Sequence, residues 1–431
     1  NKTSSKGIDL SSYSSIKNAA FNSTLFASFN KSDPYDPAKN GFSAIPKFDR
    51  WTFNPRIFFE GAKSELKIGL NAIQEDRLGG YMQYVNKKNN VPAYFEQINT
   101  DRLSSQIEYI RELNSGNEIV FKNSINHYKQ EHKIPTYFFA GTQTSSFSEL
   151  HLLGASQKLD WVIGINLWTE KFDQEKPDSL QNLDLKTETW GLFTQGTFLI
   201  NDYWSLESGL RVDQTSDYGS FVLPRISFLY TPDESLSLRL GGGLGYKEPS
   251  SFNDEAESIK YKNLLPLDTD QLEAEESSGI NFDINKSIEF DSGIDLNLNL
   301  LLFYTKVDKP LRLSEVSNNQ YEFIQSDDYL DTQGFELSSV FKWDDWKYYF
   351  GYTHADVEIH KQNKISIAPL MPKERVNNIF VYEREDDFRI GLEAYYYGEQ
   401  VLTDGSKSRD FWIYGLMMEK IFKNDFSIFL N

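Results

Sequence analysis

The sequence of 431 residues predicts an all-β fold, a wide antiparallel β-barrel that spans a membrane. Three observations predict this fold class. Apolar and polar residues alternate over long runs, short and long connections between the runs alternate along the chain, and aromatic residues collect near the ends of the runs. Alternation of period two places the apolar residues on one face of a strand and the polar residues on the other.

The strand signal is clearest in the middle and C-terminal parts of the chain. The best runs are Trp204–Asp213, Leu236–Tyr246, Ile294–Tyr304 and Phe388–Tyr396. The runs are about 9–14 residues long, which exceeds a typical soluble strand and suits a tilted membrane-spanning one. About 18–20 such strands would close a barrel wide enough to enclose a lumen.

The connections predict which ends of the strands meet. Short turn signals lie at 114–117, 231–234, 344–345, 385–387 and 423–425, whereas long polar connections lie at 31–47, 79–100, 170–186, 249–276 and 403–410. Short turns at one end of the strands and long loops at the other are typical of outer-membrane barrels.

Aromatic residues near the strand ends predict girdles at the two membrane surfaces. They include Trp51, Tyr128, Trp161, Trp168, Trp204, Trp343, Trp346 and Trp412. The alternative is that these residues are simply good strand formers in a soluble sheet. The longest apolar run, Leu300–Tyr304, is far shorter than the roughly 20 residues that a membrane-spanning helix needs.

Composition excludes several classes of protein and site. The absence of cysteine excludes disulfides, thiol nucleophiles and iron–sulfur clusters, and the net charge of −19 argues against a nucleic-acid partner. We find no hydrolase or metalloprotease motif. The five histidines, at 127, 132, 151, 354 and 360, show no ligand spacing, so we expect no enzyme, no cofactor and no metal site.

Charged residues on the polar face of the central strands should face the lumen. By alternation, Arg211, Asp213 and Arg239 share that face, and Arg225 is expected to join it. Because charges at membrane depth are usually paired, we expect these four residues to form one network across neighbouring strands.

The segment Trp190–Phe252 contains the runs Gly209-Leu-Arg-Val-Asp213, Pro224-Arg225, Ser237-Leu-Arg239 and Gly245-Tyr-Lys-Glu-Pro249. A further characteristic run is Asp331-Thr-Gln-Gly-Phe-Glu-Leu337. With these runs the sequence resembles the barrel of a TonB-dependent outer-membrane receptor.

The resemblance implies a barrel of the receptor type, with about 22 strands when complete. Residues 1–431 would form a single, incomplete barrel domain, without the plug domain and the final strand. It also implies a monomeric importer of a bulky, scarce ligand in the bacterial outer membrane, of the ferric siderophore, cobalamin or haem class. TonB would couple through the plug, and outer-membrane lipid would surround the barrel. Two alternatives remain open: a passive porin-like or adhesion barrel without TonB, and a soluble or surface-attached β protein.

Loop aromatics are the expected ligand contacts of such a receptor. Their positions in the presumed outer loops select Tyr35, Phe42, Tyr81, Tyr84, Tyr94, Phe95, Tyr137, Phe138, Phe139 and Tyr261. The expected lumen residues facing the plug are Arg211, Asp213, Arg225, Arg239 and Glu336.

Overall fold

A computed structural model describes residues 2–3, 6–18, 21–86, 93–175, 182–317, 319–361, 364–385, 387–422 and 426–431. These residues contain 23 strands and two short helices, α1 (Met82–Val85) and α2 (Asp254–Ser258). In the part of the chain that the structure describes, no helix has the length and apolar character needed to cross a membrane.

The strands occupy most of the chain. They are β1 (Ile8–Lys17), β2 (Asn22–Ser32), β3 (Lys47–Glu60), β4 (Ser64–Gly80), β5 (Phe95–Glu112), β6 (Glu118–Ile134), β7 (Tyr137–Ala155), β8 (Leu159–Glu175), β9 (Leu185–Leu199), β10 (Trp204–Thr215), β11 (Ser220–Asp233), β12 (Leu236–Lys247), β13 (Glu275–Phe290), β14 (Ile294–Asp308), β15 (Arg312–Ser317), β16 (Gln320–Ile324), β17 (Tyr329–Trp343), β18 (Trp346–Lys361), β19 (Lys364–Ile367), β20 (Glu374–Arg384), β21 (Phe388–Tyr397), β22 (Phe411–Phe422) and β23 (Phe426–Leu430).

Nearly all of these strands belong to one antiparallel meander. The main sheet has 21 strands, and β19 pairs only with β18, so 20 strands follow one another around the sheet. The hairpin β15–β16 forms a separate sheet. Among the described residues no ladder joins β1 to β23. The predicted all-β class and strand count are confirmed, but the strands are longer than expected, reaching 19 residues in β7.

The two ends of the sheet differ, as the sequence predicts. We call the end with connections such as 61–63, 234–235 and 344–345 the turn end, and the opposite end the loop end. The loop end carries the long connections 33–46, 81–94, 248–274, 309–328 and 398–410. The turn predicted at 423–425 lies outside the described residues.

One part of the loop end departs from the expected alternation. Only Pro135 and Thr136 separate β6 from β7, so Tyr137, Phe138 and Phe139 begin strand β7 and do not lie in a loop. Phe95 likewise is the first residue of β5. The placement of these four residues in loops was wrong because strands β4–β9 extend further toward the loop end than the sequence runs suggest.

The two faces of the sheet have opposite chemistry. Along β10, Leu210 and Val212 are exposed on the outward face, whereas Arg211 and Asp213 lie on the inward face. The ladder carries the same alternation into neighbouring strands. Trp168 is an exception to the predicted girdle, because it lies on the same face of β8 as the inward-facing Asn166.

The sheet curls back on itself at the loop end. Lys260, in the connection after β12, contacts Glu96 at the start of β5, seven strands away. A cluster of buried apolar side chains also lies there and contains Phe139, Phe172, Leu183, Ala256, Leu264 and Phe323. The packed core of this protein is therefore made by loops resting on strand ends.

Gly334 in β17 should be essential for the pairing of β17 with β18. An added Cβ would collide with the carbonyl oxygen of His354 and lie 2.9 Å from both the Ala355 Cα and the Phe303 ring. We expect Gly334→Ala to destabilise the barrel by about 1–3 kcal/mol through overpacking. Urea unfolding, followed by the slower gel mobility of the unfolded chain in SDS, measures the loss.

Gly209→Ala is the matched control, because its nearest contact, the Thr194 carbonyl oxygen, is 3.5 Å away. Equal unfolding midpoints for Gly334→Ala and the wild type would contradict the proposed close approach.

Candidate ligand entrance and lumen wall

The loop-end core holds the connection after β12 against strands β7 and β8. Tyr261 stacks on Phe139 with ring centroids 4.8 Å apart, and the Tyr137 hydroxyl donates a hydrogen bond of 3.0 Å to the Tyr261 carbonyl oxygen. Phe252 packs on Phe172 at 4.4 Å. We call the loop-end opening beside these contacts the entrance, and the contacts form one of its walls. Phe139 is only 3% exposed and lies beneath the surface of that wall.

A charged cluster fastens the same connection to the neighbouring strands. The Lys260 ammonium lies 3.1 Å from the Glu96 carboxylate, which also lies 3.0 Å from Nε2 of His132. Lys260 and Tyr261 both have left-handed backbone conformations, with φ of 60° and 57°. Such backbone conformations persist only where surrounding contacts hold them. Because the contacts among Lys260, Glu96 and His132 hold this connection against β5 and β6, we call these three residues the latch. Burial raises the pKa of Tyr261 to about 12, which keeps its hydroxyl protonated.

Six predicted aromatics come from the connections at 33–46 and 81–94 and the start of β5. Phe42 contacts Tyr81 at 5.8 Å between ring centroids, and Tyr84 stacks on Phe95 at 4.7 Å. Tyr35, Phe42 and Tyr94 are exposed.

This aromatic group meets the latch at one residue. The Tyr94 hydroxyl donates a long hydrogen bond of 3.4 Å to Glu96. Glu96 therefore joins the exposed aromatics to the packed core.

Phe138 occupies a different place from the other nine predicted aromatics that frame the entrance or support it. It lies on the opposite face of β7 from Tyr137 and Phe139, which is the face of the exposed Leu150. The alternation of β7 therefore directs Phe138 outward.

The lumen wall contains a polar network that reaches from β8 to β12. The Arg211 guanidinium binds the Asp213 carboxylate at 2.8 Å and the Asn166 amide oxygen at 3.2 Å. The Tyr246 hydroxyl donates to Asp213 at 3.0 Å, and Asp213 is only 3% exposed. A Cβ on Gly191 would lie within 2.5–2.7 Å of atoms of Asn166, Asp213 and Arg211, so glycine is required for the network to close.

A separate polar contact lies closer to the loop end, at Glu248. The Thr189 hydroxyl donates to the Glu248 carboxylate at 3.0 Å. Burial raises the pKa of Glu248, and nearby acidic residues, Asp217 first among them, act in the same direction.

The other predicted lumen residues do not join this network. Arg225 lies 3.8 Å from Glu207 and is largely exposed, while Arg239 and Glu336 are exposed positions on the inward face. The prediction that Arg211, Asp213, Arg225 and Arg239 form one network was wrong for Arg225 and Arg239. Arg211 and Asp213 do pair, but their further partners are Asn166 and Tyr246.

Several interior residues were missed by sequence reasoning. Glu75 is buried and binds the guanidinium groups of both Arg50 and Arg77 across β3 and β4. The latch residues were missed as well. Their only sequence signal is a charged or polar residue on an inward position, which every wide barrel has at many places.

One group in the described part of the chain could hold a metal ion. Asp331, Glu358 and His360 bring their side-chain ligand atoms together on the outward face of β17 and β18. The group is separate from the entrance and from the lumen wall.

Comparison with known proteins agrees with this architecture. A family model described as TonB dependent receptor-like, beta-barrel matches residues 7–431. A search of curated proteins found no match.

Several solved structures share the fold. The siderophore receptor PirA from Acinetobacter baumannii has 13% identity and a TM-score of 0.72, with 97% of this chain and 71% of that one covered. A mutant of the ferric enterobactin receptor PfeA from Pseudomonas aeruginosa has 12% identity and a TM-score of 0.73, with 98% and 73% covered. The FrpB iron transporter from Neisseria meningitidis has 13% identity and a TM-score of 0.77, with 97% and 72% covered.

At 12–13% sequence identity the structural matches show the fold alone. Membership of the family is shown by the family model. The family consists of transport receptors and not of enzymes. Since its model covers nearly the whole chain, this protein belongs to the TonB-dependent receptor-like β-barrel family of the bacterial outer membrane.

Proposed function

We propose that this barrel imports a bulky ferric siderophore, with cobalamin and haem as the other ligand classes, and that TonB drives the import. The observation that carries the proposal is the entrance, where exposed aromatics are joined through Glu96 to a packed loop core. Family membership and the titles of the structural neighbours, which name siderophore receptors, support the same ligand class.

The entrance suits a large, rigid ligand with aromatic or chelating groups. Aromatic side chains supply large contact areas at little cost in conformational entropy. Tyr35, Phe42 and Tyr94 are exposed, whereas Phe139 and Tyr261 lie in or against the core beneath them. We assign ligand contact to the exposed set and support of the loops to the buried set.

The lumen wall suits contact with a folded plug. We propose that residues 1–431 act as the barrel domain of a monomeric receptor and that a plug segment, pulled by TonB, lies against the inward face. Arg225, Arg239 and Glu336 are exposed on that face and offer charges to a partner. The Arg211–Asp213 network is already paired and would provide a fixed surface.

Removing the exposed aromatics should weaken ligand capture. We expect Tyr35→Ala, Phe42→Ala and Tyr94→Ala each to weaken binding by about 1–2 kcal/mol, since each removes an aromatic contact surface. Binding of ferric enterobactin, cyanocobalamin and haemin to whole cells that carry the full receptor measures this effect.

Phe138→Ala is the matched control, because Phe138 is 41% exposed, as Tyr35 is, but faces outward. Equal losses in the control and the entrance variants, or no loss in any variant, would reject the assignment.

Breaking the latch should loosen the entrance without unfolding the barrel. Lys260→Ala removes a partly buried ion pair, and we expect about 1 kcal/mol less resistance to local opening, or about fivefold faster cleavage. Thermolysin digestion of the 248–274 connection measures the change.

Lys262→Ala, in the same connection, is the control for the loss of a lysine. If both variants are cleaved at the wild-type rate, the Lys260–Glu96 contact does not hold the connection.

Energy coupling separates active import from a passive pore. We expect uptake of the bound ligand to cease in cells that lack TonB or are treated with a protonophore, while binding at the surface persists. Uptake that continues unchanged under both conditions would favour the passive, porin-like alternative.

A further inference from the structure

The group formed by Asp331, Glu358 and His360 lies on the outward wall near the loop end. Asp331 is directly opposite Glu358 in the β17–β18 ladder, and His360 follows two residues later on the same face of β18. The outward-facing apolar residues of β17, among them Phe335 and Phe341, lie further toward the turn end. The group is therefore placed beyond the apolar band of this hairpin.

The three side chains converge on one point. Nε2 of His360 lies 3.0 Å from an Asp331 carboxylate oxygen and 3.5 Å from a Glu358 carboxylate oxygen. All three ligand atoms lie within 4.8 Å of one another. A tetrahedral zinc ion with bonds of about 2.0–2.1 Å would separate its ligands by about 3.3 Å, so the two distances from Nε2 bracket this value.

The surroundings hold the imidazole in place. The Tyr329 ring stacks on His360 with centroids 4.2 Å apart and planes inclined by 9°. Lys306, the register partner of Asp331 on β14, lies over the Tyr329 ring and binds Asp308. Lys306 is thus engaged elsewhere, while the Asp331 and Glu358 carboxylates face each other with the His360 imidazole beside both, an arrangement that a cation among the three groups would stabilise.

We infer that Asp331, Glu358 and His360 bind a divalent transition-metal ion of the zinc type. One imidazole nitrogen and two carboxylate oxygens form a mixed ligand set, which favours such ions over calcium or magnesium with their preference for oxygen alone. The ion would clamp β17 to β18 next to the 309–328 connection and would keep at least one position open for water or an external donor.

Zinc binding to the purified, detergent-solubilised protein tests this site. After removal of any histidine tag and treatment with a chelator, isothermal titration with zinc chloride should show one strong site. We expect His360→Gln and Glu358→Gln each to weaken that site by about 100-fold or more, because each removes a ligand. Calcium chloride should not compete.

His354→Gln is the matched control. His354 lies on the same face of β18 beside two carboxylates, but its nitrogens are divided between Asp356 at 3.5 Å and Glu374 at 3.9 Å. We expect this variant to bind zinc as the wild type does. A wild type without a strong site, or equal affinity in His360→Gln and the wild type, would overturn the inference and leave a histidine–carboxylate ion pair.

Discussion

The constraint on which the rest of the structure depends is the pairing of every backbone amide and carbonyl group within the membrane. Lipid offers no hydrogen-bond partners, so strands that cross a membrane must satisfy these groups by pairing with one another. The 20-strand meander does this for its inner strands by joining each one to the two strands beside it in the sheet. Because pairing fixes the side chains at period two, one choice of register decides which residues meet lipid and which meet the lumen.

The inward face then has to accommodate many polar groups in a confined space. The Arg211–Asp213–Asn166 network shows how this is achieved, since each buried charge has a partner on its own or another strand. Two glycines provide space for close contacts. A Cβ on Gly191 would collide with the network, and a Cβ on Gly334 would collide with the backbone of His354 and Ala355. Arg225, which approaches Glu207 at 3.8 Å, remains largely exposed on this face.

Sequence alternation was sufficient for the fold class, the faces of the central strands and the turn end, because each of these depends on neighbouring residues. It did not predict that Tyr137 and Phe139 belong to strand β7. The reason is that a strand end made of polar and aromatic residues lacks the regular alternation of apolar and polar residues that marks the rest of the strand. Alternation by itself also does not bring Asp331, Glu358 and His360 together. His360 and Glu358 are close in sequence, but Asp331 joins them only through the register of β17 and β18.

The entrance arises where long connections rest on the ends of long strands. Strands β4–β9, which we call the tall side of the wall, have 15–19 residues. They supply Phe139 and Phe172, and the connections 248–274 and 309–328 supply Ala256, Leu264 and Phe323, so apolar burial draws those connections across the opening. The latch at Glu96 then fixes where they rest. The shape of the entrance thus depends on contacts between residues more than a hundred positions apart, and a change in strand length on the tall side would alter it as surely as a change in the loops.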